Sequence, residues 1–143
     1  MRAPGSARSR RGSGGLLRPA PAGIYPCVDL RTSRSRLFDT DAVSDEHRAI
    51  AERVRRAVAL LWDDSLAAAA GPLAVGRAKK LANFFAQPFF CAEPWTKRPG
   101  SFVSAREALQ ICAEILDGAH DDLSVKAFHF TGGIAEIRAE GRS

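Results

Sequence analysis

Three stretches in which apolar residues return every three or four positions, each closed by glycine or proline, commit most of this chain to helices. From Asp45 onward, Ile50, Val54, Ala57, Val58 and Leu61 share one face, while Arg48, Glu52, Arg55 and Arg56 lie elsewhere. Ala67 to Ala70 read as an extension of this first helix, which Gly71-Pro72 must interrupt. A second helix is expected from about Leu73 to Ala86, with Val75, Ala78, Leu81, Ala82 and Phe85 along its apolar stripe and Pro88 beyond its end. The third is signalled best: Ser104 and Glu107 have capping-box spacing, Ala108, Ile111, Cys112 and Ile115 repeat along one face, and Gly118 supplies the stop. A short last helix begins around Ile134, after Gly132-Gly133. The expected fold class is therefore mainly α, a small antiparallel helical bundle.

The N-terminal part has a different texture. Residues 1–22 are Gly, Pro, Ala, Ser and Arg with little else, a composition that buries too little apolar surface to offset the entropy of ordering, so a disordered basic tail is expected. Leu16 and Leu17 stand almost alone, which is not the apolar core of a secretory signal. The tail is Arg-rich and acid-poor like a mitochondrial transit peptide, but its Gly and Pro density works against the amphipathic helix of such peptides. Gly23 to Asp29 is a short β-prone stretch held extended before Pro26, and a polar loop follows through Asp41.

Charge suggests nucleic acid at first and then argues against it. The chain of 143 residues carries a net charge of +5, but Arg2, Arg8, Arg10, Arg11 and Arg18 of the tail account for all of it. The remainder is neutral overall, with no basic helical face, so no specific nucleic-acid partner is expected. No apolar run approaches the ~20 residues a bilayer crossing needs, and any membrane association is expected to come through partners. Cys27, Cys91 and Cys112 are odd in number and widely spaced, and read as small buried hydrophobes in a reducing compartment. His47, His120 and His129 are scattered without metal-ligand spacing, so no metal site is expected.

A self-sufficient active site is hard to find. The chain has no G-x-x-x-x-G-K-[ST] phosphate loop and no Gly-Lys pair, no G-x-S-x-G elbow, and no Cys-His pair with an orienting residue nearby. Asp63-Asp64 and Asp121-Asp122 are acidic pairs, read as solvated caps and poor candidates for general acid and base. What stands out is aromatic content beside prolines: Tyr25-Pro26, Pro88-Phe89-Phe90 and Pro94-Trp95. On physical grounds alone Phe89 and Phe90 read as core residues, and Tyr25 and Trp95 as half-buried packing.

A series of short words changes that reading. Gly23-Ile24-Tyr25-Pro26-Cys27-Val28-Asp29, then Ser33-Arg34-Ser35-Arg36 and Asp39, then Glu46-His47, resemble the catalytic beta subunit of F-type ATP synthases. Val75-Gly76-Arg77-Ala78-Lys79-Lys80, Gln87-Pro88-Phe89-Phe90, Ala92-Glu93, Pro99-Gly100, Val103-Ser104, Glu114 to Gly118 and Asp121-Asp122-Leu123 continue in that family's order. The resemblance spans Gly23 to about Glu140. It implies that residues 23–44 are the remnant of the end of a nucleotide-binding domain, and that 45–143 form the C-terminal helical domain.

The resemblance also implies a site. In that family the residues matching Tyr25 and Trp95 sandwich the adenine of the catalytic nucleotide, and those matching Phe89 and Ala92 line the same pocket; planar rings between apolar walls suit a purine base. Trp95 stands where the family has phenylalanine, and Pro94 before it is atypical. The region Asp63 to Pro72 replaces an acidic loop through which the family pushes on the central stalk, and is shorter and poorer in acids. Residues 1–22 do not resemble the phosphate-binding domain that precedes the family's Gly-Ile-Tyr-Pro. The expected function is thus that of a beta-type chain of a rotary ATP synthase, which makes ATP coupled to ion transport, silent in catalysis by itself and binding adenine nucleotide weakly if at all. ATP or ADP with Mg is the cofactor set of the intact family, alpha and gamma subunits are the implied partners, and the implied location is cytoplasmic, peripheral to the membrane through the complex. The alternative is an interaction module that binds other synthase subunits or a regulator without catalysis.

Overall fold

The computed structural model describes Leu30 and residues 32–141; the tail at 1–22 and the strand-like lead at 23–29 lie outside this range. Five α-helices follow one another, α1 (Asp45–Ala59), α2 (Asp64–Phe84), α3 (Glu93–Thr96), α4 (Ala105–Asp117) and α5 (Ile134–Glu140), with short 3-10 turns at Arg36–Asp39, Phe90–Ala92 and Val125–Phe128. The described residues contain no strand, so the mainly helical bundle expected from the apolar periodicity is what forms. No single helix among them is long and apolar enough to cross a membrane.

Helix α1 starts where Ser44, in extended conformation, accepts a hydrogen bond from the His47 amide at 3.2 Å, and Asp45 and Glu46 sit at its positive end. Ile50, Val54 and Val58 are buried along one stripe. The opposite side is not simply solvated. Arg48 donates to the Phe38 carbonyl at 2.9 Å and the Thr40 carbonyl at 2.5 Å, and Arg55 reaches the Ser33 carbonyl at 3.3 Å while lying over the Phe38 ring. These two arginines tie the polar loop onto α1.

The expected continuation of α1 through Ala67–Ala70 is corrected. The chain tightens after Ala59, with Leu60, Leu61 and Trp62 amides bonding three residues back, and Asp63 then takes an extended conformation. Its carboxylate accepts from the Ser65 and Leu66 amides at 3.0 and 3.1 Å, so Ala67–Ala70 belong to a newly capped helix. The break expected at Gly71-Pro72 does occur: Gly71 adopts φ 83°, ψ 169° inside α2, and Pro72 resumes the helix where a missing N–H does little harm. Beyond it Ala78, Leu81, Ala82 and Phe84 are buried. Phe84, not Phe85, fills the core; Phe85 lies just past the helix end and is half-buried.

The core gathers Val58, Leu81, Phe84, Ile111, Ile115, Phe128 and Ile137 from α1, α2, α4, α5 and the last 3-10 turn. At the start of α4 the Ser104 hydroxyl accepts from the Glu107 amide at 3.2 Å, whereas the Glu107 carboxylate lies against Gly133. Gly118 ends α4 at φ 89°, with the Arg77 guanidinium packed where a Cβ would stand.

Candidate functional site

Three of the four residues that the resemblance singles out, Phe89, Ala92 and Trp95, lie on one closed loop between α2 and α4. Pro88 is buried, and its carbonyl accepts from the Ser101 amide at 2.8 Å, which joins the two ends of the loop. Phe89 is extended, the chain then turns through Phe90–Ala92, and the single turn α3 follows. Pro94 sits at the start of α3, where proline's fixed φ is preorganised and its missing N–H would be unpaired anyway. Lys97 closes α3 in the left-handed region at φ 56°. The Glu93 carboxylate accepts from the Gly100 amide at 2.6 Å, and a side chain at Gly100 would run into Phe90. The Pro99-Gly100 word thus has a local reason: only glycine allows that approach.

This loop turns its aromatic residues outward. Trp95 is 79% exposed, Phe89 40% and Phe90 62%, and Phe102, just past the loop, is 80% exposed. The reading of Phe89 and Phe90 as core residues and Trp95 as half-buried is corrected, because the loop closure at Pro88 and Ser101 carries all three away from the bundle. Ala92 is 3% exposed and forms the floor under the turn; Thr96 Oγ1 donates to its carbonyl at 3.1 Å. Phe89, Ala92 and Trp95 therefore share one short scaffold, while Tyr25 lies outside the described residues. An open cleft of about 470 Å³ adjoins the loop, lined by Pro88, Arg98, Pro99, Phe130, Thr131 and Glu136. It does not include Phe89 or Trp95. Phe130 on its wall has φ 55°, an uncommon conformation for a bulky side chain.

A second constellation went unrecognised in the sequence. Arg77 of α2 donates through Nε to Asp121 at 3.0 and 3.2 Å, through Nη2 to the same carboxylate, and through Nη1 to the Leu116 carbonyl at 3.0 Å. Lys80, 5% exposed, donates to the His120 carbonyl at 2.7 Å. His120, itself 2% exposed, has Nε2 2.8 Å from Glu114, whose other oxygen accepts from Gln110 at 2.8 Å. The Arg77 hydrogen bond holds the Asp121 carboxyl below its ordinary range, and Gln110 first, with His120 adding to it, does the same for Glu114. Asp121 is thus exposed, as expected, but paired with Arg77 and not acting as a cap. Asp63 does cap a helix, and its carboxyl is depressed by the Ser65 hydroxyl above all.

These contacts bear on phosphate binding. In the basic segment Arg77 to Lys80, Arg77 is engaged by a carboxylate and a carbonyl, and Lys80 by a buried carbonyl. Among the cysteines, Cys112 is buried and burial pushes its thiol up to about 12, whereas Cys91 on the loop is exposed, which corrects its reading as a buried hydrophobe. Cys27 lies outside the described residues. His47 meets the Phe38 ring edge-on at 5.3 Å between centroids, and His129 sits beside Phe130. A scan against models of known protein families finds no match to this chain.

Proposed function

We propose that this is a beta-type chain of a rotary F-type ATP synthase, one that keeps the base-stacking edge of the nucleotide site without the groups that grip phosphate. The observation that supports this reading is the loop at 88–101, which exposes Phe89 and Trp95 to solvent beside a buried Ala92, the three positions that the sequence resemblance assigns to the base pocket. A base laid on such rings gains ~1–3 kcal/mol, whereas even a millimolar dissociation constant requires about −4.1 kcal/mol. Phosphoryl transfer needs charge stabilisation by backbone amides, a lysine and magnesium, and the sequence holds no phosphate-loop motif to provide it. Taken alone, the chain stacks adenine weakly and leaves the phosphates in water.

Trp95 is its own reporter. The chain has two tryptophans, so Trp62→Phe leaves Trp95 as the single tryptophan, which excitation at the red edge of the indole band reports without Tyr25. Adenosine, ADP and Mg-ATP should all quench it, in the millimolar range or weaker and to similar degrees, because none is held by its phosphates. Quenching by Mg-ATP at micromolar concentration, with adenosine inert, would point to a phosphate site. No response to any of the three would remove the base edge.

The second reading, a subunit-interaction module, gains support from Phe90 and Phe102, since a base sandwich needs neither ring and both are exposed. Exposed aromatics of this kind are typical anchors of protein interfaces. Co-purification with alpha and gamma subunits distinguishes the two: the module should retain one of them, and an isolated base edge should retain none.

A further inference from the structure

We draw no further inference here: the strongest candidate, the apolar groove of about 300 Å³ between α1 and α4 that has Cys112 in its wall and Leu30 and Phe85 beside it, carries nothing because nothing in the structure shows what covers it.

Discussion

The clamp formed by Arg77, Lys80, Glu114, His120 and Asp121 buries Lys80 and His120 and leaves the Arg77–Asp121 pair partly exposed, while the loop at 88–101 places aromatic rings in water. In the first region each group has a defined partner: Lys80 a carbonyl, Arg77 a carboxylate and a carbonyl, His120 a carboxylate. Every buried side-chain nitrogen and oxygen among the described residues is likewise hydrogen-bonded. In the second, Phe90 and Trp95 are more than half exposed, as is Phe102 just past the loop. The clamp follows the rule that buried polar groups must be satisfied. The loop departs from the rule that large apolar rings belong inside, and such departures concentrate at surfaces that bind something. On the function proposed above, the loop is the recognising region and the polar cluster a stabilising one, a division that can be tested.

The most severe test of that division is truncation in the core. Phe128 is fully buried and meets the His120 ring at 6.2 Å between centroids. Phe128→Ala should cost about 3–5 kcal/mol in urea unfolding. A loss below 1 kcal/mol would show that the last 3-10 turn is not part of the cooperative core.

Next in size is the clamp itself. Lys80→Met keeps the length of the stem and removes the ammonium, leaving the His120 carbonyl without its donor at a cost of about 1–3 kcal/mol. An equally stable Met variant would mean that the cost of desolvating the ammonium offsets its hydrogen bond, as happens at many buried charges.

Acid should act through the same region. Glu114 and Asp121 have depressed carboxyls in the folded chain, so the unfolded chain takes up their protons first as pH falls. The stability they contribute is complete above the ordinary carboxylate range, near ~4, and is lost as pH drops through the lower folded values. Urea midpoints between pH 6 and pH 3 should fall in the wild type and fall less steeply in Asp121→Asn. Parallel slopes would break the link between the Arg77 pair and acid stability.

The smallest effect is expected on the loop side. Phe102→Ala removes a ring that is 80% exposed and should change stability by no more than about 0.5 kcal/mol. A loss above 2 kcal/mol would place Phe102 in the core's energetics and erase the contrast.

Much of this fold can be read in the sequence, and the misreadings have identifiable causes. The stripes Ile50–Val54–Val58 and Ile111–Cys112–Ile115 were legible because helical period, cap and stop residues agree. The alanines at 67–70 do not reveal their helix, because alanine favours helix without saying which one, and the cap at Asp63 decides. Phe84 and Phe85 are adjacent aromatics, and only the point where α2 ends determines which faces the core. Phe128 lies in a 3-10 turn too short to show a period. At the site, the exposure of Phe89, Phe90 and Trp95 depends on loop closure between Pro88 and Ser101, a contact between residues thirteen positions apart that no local pattern signals. The clamp is invisible in the sequence for the same reason, since Arg77 and Asp121 are separated by 44 positions.

Calorimetric titration of the full chain with Mg-ATP, run beside a phosphate-release assay, tests the central claim most directly. The account predicts no saturable heat below millimolar concentration and no phosphate above the buffer control, because the base edge is exposed while Arg77 and Lys80 are committed elsewhere. A micromolar dissociation constant or measurable turnover would contradict it, and would direct the search for a phosphate grip to the segment from Gly76 to Lys80.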